Sequence, residues 1–208
     1  MVDLIVLTPD PISAHSFYFK YIYQENLELV FLCDKYNFES KAPYSWKWEL
    51  FGATLVGDKR KKIVDEDASP REHKGADLTN HEIKSSIDGH AFEYQYHPDS
   101  WQEKLREDRR VMHVYVSYSE DYKDITVRTL TGDQLEPYFQ EWEPELLAYW
   151  TDDENKKISN KRFRRNIPFS KVRNEGRIIC AIKNTELFYS NNQGMASDLL
   201  IKSKPKRK

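Results

Sequence analysis

The sequence predicts a mixed α/β fold, a central mixed β-sheet flanked by helices, and three observations predict it. Short runs rich in β-branched and aromatic residues, EIKSSI, AFEYQY, VMHVYVSYS and DITVRTL, crowd the middle of the chain and have strand character. Longer stretches with helical spacing stand before, between and after them. Finally, 39% of the 208 residues are hydrophobic and 13% aromatic, enough to bury the core of one domain.

From Ser13 to Tyr36 the spacing of Phe17, Tyr18, Tyr21, Ile22, Leu29, Phe31 and Leu32 predicts helical structure. SWKWELFGATL predicts a second helix, and GDKRKKIVDEDASPREHKGA reads as a charged excursion. In GADLTNHEIKSS, a two-residue loop at Thr79-Asn80 makes Leu78 face His81 and Asp77 face Glu82. Asp88-Gly89 suits a type I′ turn and makes AFEYQY the next strand of a hairpin. Pro98 and Asp99 open a helix through SWQEKLREDRR, after which VMHVYVSYS and DITVRTL read as paired strands. DQLEPYFQEWEPELLAYW is helical, with Pro137 and Pro144 limiting its continuity. RIICAIKN and TELFYS are strands that either extend the sheet or form a small recognition subdomain.

The net charge of −2 averages two opposite halves. Residues 1–150 hold 17 Lys+Arg against 28 Asp+Glu, whereas residues 151–208 hold 15 against 6. This predicts a core, 1–150, followed by a basic extension, 151–208, of the same compact unit. The extension is a candidate polyanion-facing surface, because KKISNKRFRRNIPFSKVR contains no acidic residue. Within it Arg162, Arg164, Arg165 and Arg173 with Asn160 and Asn166 combine phosphate attraction with base-edge chemistry, and Lys161 and Lys171 are candidate phosphate contacts.

Several classes are disfavoured. The two cysteines, Cys33 and Cys180, give neither a disulfide framework nor a zinc pattern, and Cys180 in IICAI reads as core. The six histidines form no HExxH, and neither a Gly-rich phosphate loop nor a GxSxG elbow occurs. No apolar run approaches the length of a membrane span. No basic leader precedes the apolar residues of MVDLIVLTPDP. A cytoplasmic, intracellular protein is the economical expectation.

The chemistry concentrates in GADLTNHEIKSS. Opposed residues share a sheet face with Cβ atoms about 5 Å apart, and alternation puts Lys84 on the face of Glu82. Two carboxylates side by side repel unless a cation compensates them. Mg²⁺ suits such a pair, since it takes one or two carboxylates and fills its other positions with water and phosphate oxygens. Asp77 and Glu82 are therefore candidate metal ligands, with the Ile83 carbonyl as a third, and Lys84 is placed to stabilise charge developing on phosphorus.

GAD...EIKSS resembles the core of the PD-(D/E)xK phosphodiesterase superfamily, which includes restriction endonucleases and Holliday-junction resolvases. The resemblance covers roughly residues 45–130. It implies a restriction-endonuclease-like fold, Asp77 and Glu82 as Mg²⁺ ligands and Lys84 as the catalytic lysine. Glu49 in WKWELFG is the candidate for the acidic residue that an earlier helix sometimes adds. Two departures stand out: Ala76 replaces proline, and only four residues separate Asp77 from Glu82. A longer hairpin would instead bring Asp65 or Asp67 to the site. The activity so implied is sequence-specific, Mg²⁺-dependent cleavage of double-stranded DNA by a homodimer, as in type II restriction enzymes. A structure-selective nuclease and a non-catalytic DNA-binding protein are the alternatives.

Overall fold

The computed structural model describes residues 7–36, 45–59, 77–150 and 161–190. Asp65, Asp67, Ala76, Asn160 and most of the charged excursion lie outside them. Asp10 starts the first helix, α1 (Pro11–Tyr18): its carboxylate accepts the Ser13 N–H at 2.9 Å, and Pro11 occupies the first turn. The helix widens into a π-type segment, Phe19–Gln24, and continues as α2 (Glu25–Tyr36). SWKWELFGATLV forms α3 (Ser45–Val56), as its pattern predicts.

The strands are β1 (His81–Ile87), β2 (Phe92–Tyr96), β3 (Met112–Tyr118), β4 (Ile125–Thr131), β5 (Phe163–Ile167), β6 (Arg177–Lys183) and β7 (Glu186–Ser190). The helices among them are α4 (Trp101–Asp108), α5 (Gly132–Trp150) and α6 (Phe169–Glu175). Five strands make a mixed sheet in the order β1-β3-β4-β6-β7, with β1 parallel to β3 and the other pairs antiparallel. The fold is thus mixed α+β, as expected. Strands β6 and β7 extend the sheet, joined by a tight turn in which Asn184 and Thr185 take positive φ.

One expected pairing is corrected. β1 and β2 do not form a hairpin; β2 pairs antiparallel with β5, from Phe92↔Ile167 to Tyr96↔Phe163, as a separate ribbon. Of the Asp88-Gly89 pair only Gly89 takes positive φ, whereas a type I′ turn needs both. The outer edge of β1 is already engaged, because Leu78 N–H donates to the His81 carbonyl and the Asp77 carboxylate accepts Ile83 N–H. β2 and α4 instead form the crossover that a parallel β1–β3 pair requires. The prolines do not divide α5 either. Its buried stripe of Leu135, Phe139, Trp142 and Leu146 holds 19 residues in one helix across Pro137 and Pro144.

The sheet has two covered faces. Ile83, Val114, Val116, Ile125 and Val127 pack with Ala14 and Tyr18 of α1 and Trp48 and Phe51 of α3. Tyr115 and Leu130 pack on the other face with Phe92, Tyr94 and Tyr96 of the ribbon, Leu105 of α4 and Phe139 and Trp142 of α5. Gly52 allows α3 to sit close on β1: a Cβ there would lie 2.8 Å from Ile83 Cδ1 and 3.1 Å from its Cγ2. Cys180 is buried core, as expected, and burial pushes its thiol up to about 12.

Candidate active site

The local geometry of Asp77–Lys84 follows the two-residue loop. Asp77 to Asn80 is bent and β1 begins at His81, but Leu78 N–H meets the His81 carbonyl at 2.9 Å across Thr79-Asn80. Asp77 and Glu82 then exchange contacts across the turn. The Glu82 carboxylate accepts Asp77 N–H through Oε2 at 2.9 Å, while Asp77 Oδ2 accepts Ile83 N–H at 3.0 Å. The N–H and C=O of one strand residue point to the same side, so the Ile83 carbonyl shares the outer edge of β1 with the Asp77 carboxylate. Lys84 lies on the Glu82 face, with Nζ 2.6 Å from Glu82 Oε1 and 4.8 Å from the centre of the Tyr94 ring.

Three residues that the motif does not contain complete the cluster. Lys104 of α4 donates to Glu82 Oε1 at 2.8 Å and to Asp108 Oδ1 at 3.0 Å, one helical turn on. Asp108 is fully buried, and its Oδ2 accepts the Tyr96 hydroxyl at 2.9 Å. Glu82, with no exposed surface, therefore sits between two ammonium groups. The i,i+4 spacing of Lys104 and Asp108 was the sequence signal for their pairing; nothing local tied them to Glu82. Beneath them His113 Nε2 donates to the Asp108 carbonyl at 2.7 Å, so Nδ1 must accept from Tyr94 at 2.6 Å. Tyr115 in turn donates to Tyr94 at 2.8 Å.

Electrostatics separates the two carboxylates. Burial, then the charge of Glu82, pushes Asp77 up to about 7; Lys84 and Lys104 pull it down, and Glu49 of α3 adds to the rise. Glu49 thus acts on Asp77 through space. Burial alone would raise Glu82, but Lys104 and Lys84 outweigh it and hold that carboxyl well below the usual range. Both lysines are held above their ordinary value, because attraction to the carboxylates exceeds the cost of burial. Neither lysine is then a base at neutral pH; each is a fixed positive charge.

Among the described residues no group of three or more His, Cys, Asp or Glu is placed to hold a metal ion. The candidate donors are two carboxylates and one carbonyl, which fit Mg²⁺ because it keeps several waters and borrows phosphate oxygens. A carboxyl that keeps its proton up to about 7 beside an ionised partner is also a place where a cation replaces that proton. His81 points away from this face, as alternation predicts, and its Nδ1 lies 2.7 Å from Asp58 Oδ2. A cavity of about 700 Å³ lies on that side, lined in part by Asp10, Trp46, Glu49, Asp58 and Leu78.

The expected DNA contacts fall on the ribbon and on α6. Arg162 donates to Gln95 at 2.7 Å, Arg164 lies 3.4 Å from Glu93, Arg165 is bonded to Glu145, and Lys171 is 2.6 Å from Glu175. Asn166 pairs with Glu93 in the ladder, and Lys161 precedes the ribbon. Arg173 stands on α6, its Nε 3.4 Å from Asn174 Oδ1. The structure brings Asp77, Glu82, Ile83 and Lys84 together but leaves the basic residues spread over a separate surface, most with an acidic or amide neighbour.

No protein-family model matches this chain, and no curated protein is significantly similar to it. No helix among the described residues is long and apolar enough to cross a membrane.

Proposed function

We propose that this chain is a Mg²⁺-dependent endodeoxyribonuclease of the PD-(D/E)xK kind, hydrolysing phosphodiester bonds of double-stranded DNA as a type II restriction enzyme. The observation that carries the proposal is the convergence of Asp77, Glu82, the Ile83 edge and Lys84 at the start of β1. Mg²⁺, when bound, would polarise a phosphate oxygen and make a coordinated water more acidic. Asp77 and Glu82 would hold it, with Asp77 giving up its proton. Lys84 keeps its ammonium beside Glu82 and would stabilise the negative charge that builds on the non-bridging phosphate oxygens. Lys104, braced by Asp108 and Tyr96, fixes the Glu82 carboxylate and keeps it ionised.

A homodimer belongs to this proposal, since two equivalent cuts in a palindromic site call for two sites related by a two-fold axis. One observation favours the structure-selective variant of the same chemistry. Arg164 and Arg165, expected to combine phosphate attraction with base-edge chemistry, already face carboxylates, which suits contact with the backbone better than sequence reading. The test is incubation of a long duplex with the protein and Mg²⁺, beside an EDTA control and Glu82→Gln. Discrete metal-dependent fragments that disappear with the variant support restriction. Cutting of branched junctions alone supports the second reading, and fragments unchanged in Glu82→Gln exclude this site.

A further inference from the structure

The register of the sheet sets a second group of residues beside the catalytic cluster. Lys84, Tyr115 and Arg128 stand abreast on β1, β3 and β4, so Arg128 shares the face of Glu82 and Lys84, two strand spacings or about 10 Å away. Ser117 pairs with Thr126, two residues before Arg128, on that same face. Both Arg128 Nε and Ser117 Oγ are buried without a hydrogen-bond partner, and Ser117 is only 2% exposed. Gly176, at the end of α6, packs against the aliphatic stem of Arg128. Burial disfavours the charge on Arg128, Asp88 of the β1–β2 turn favours it, and Arg173 of α6 adds a smaller unfavourable contribution.

Leaving a buried donor unpaired costs about 1–3 kcal/mol, and Arg128 is left with a half-buried charge that Asp88 offsets only in part. Several other cations are compensated: Arg109 by Glu136 and Glu143, Arg165 by Glu145, Lys171 by Glu175, Lys183 by Asp124. No carboxylate lies within ion-pair distance of Arg128 among the described residues. An anion would satisfy the unpaired Nε and compensate the guanidinium charge together.

We propose that Arg128, with Arg173 beside it and Ser117 behind it, binds a phosphate group, and that this phosphate belongs to the backbone of the nucleic acid on which the Lys84 cluster acts. The second half rests on the nuclease reading above. The site takes a phosphate away from the reacting one and so positions the chain without reading its bases.

The experiment measures duplex DNA binding in EDTA across a salt series for the wild-type chain, Arg128→Gln and Arg173→Gln, with folding checked by circular dichroism. Arg173 is exposed on a short helix, so its variant carries the test if Arg128→Gln does not fold. Each variant is expected to bind several-fold more weakly, with the slope of log affinity against log salt reduced by about one. Wild-type affinity and slope in the folded variants would overturn the site. Inorganic phosphate that raises the wild-type melting temperature and not that of the variants, with DNA affinity unchanged, would overturn the assignment to nucleic acid and leave a small phosphate as ligand. Weaker DNA binding by the variants in a protein that shows no Mg²⁺-dependent cleavage would uphold the phosphate site and refute only the nuclease reading.

Discussion

Glu82 is the residue on which the cluster turns. It is fully buried, accepts from two ammonium groups through one oxygen and from Asp77 N–H through the other. Its neutralisation leaves the buried Lys84 ammonium without its ion-pair partner, while Lys104 keeps Asp108, and breaking a buried pair in this way costs roughly 3–5 kcal/mol. Glu82→Gln should therefore lower stability by about 3 kcal/mol in urea titrations as well as abolish cleavage. Asp77 behaves oppositely. Its carboxyl is raised to about 7, so its contribution to stability is complete below about pH 4 and is lost as pH rises through 7. Melting temperatures of metal-free protein should decline between pH 5 and 8 in the wild type and decline less in Asp77→Asn, whose amide oxygen can still accept Ile83 N–H. By the same linkage the proposed Mg²⁺-dependent cleavage should rise with pH and level off above about 7 in pH–rate measurements, because the cation would compete with that proton.

At the scale of elements, β1 is positioned from three sides. Residues 77–78 occupy its outer edge, β3 pairs with its inner edge, and α3 presses on Ile83 through Gly52. Replacing Gly52 with Leu would push α3 away from Ile83. Overpacking of this kind costs about 1–3 kcal/mol, and it should lower DNA cleavage through displacement of β1 even though Gly52 touches no polar group of the site. A stability measurement paired with kcat would show both losses; unchanged kcat would mean that β1 is held by its ladders alone. The departure of β2 belongs here too. Its alternating Phe92, Tyr94 and Tyr96 were legible as a strand, but strand character says nothing about partner, and β5 lies about seventy residues away in sequence.

Across the whole molecule, part of the charge asymmetry of the sequence is consumed internally. Residues 161–190 of the basic segment pack on the acidic core, placing Arg164 near Glu93, Arg165 on Glu145 and Lys183 near Asp124. Exposed pairs of this kind contribute about 0–1 kcal/mol each, so they can be exchanged for phosphate at little cost in stability. Glu145→Gln should then cost less than about 1 kcal/mol in stability and tighten DNA binding at low salt by releasing Arg165. Unchanged affinity would show that Arg165 faces no DNA.

The amino-acid sequence alone determined the helix and strand stretches and the meeting of Asp77, Glu82 and Lys84. These depend on a two-residue loop and on side-chain alternation, which act over a few residues. Only the tertiary structure decided that Lys104, Asp108 and Tyr96 complete the Glu82 site, that β2 leaves β1 for β5, and that Arg128 stands abreast of Lys84 with no ion-paired carboxylate among the described residues. Each of these arises where elements distant in the chain pack or pair. Such contacts are chosen by competition for buried surface and for unpaired backbone edges, and no local pattern records the winner.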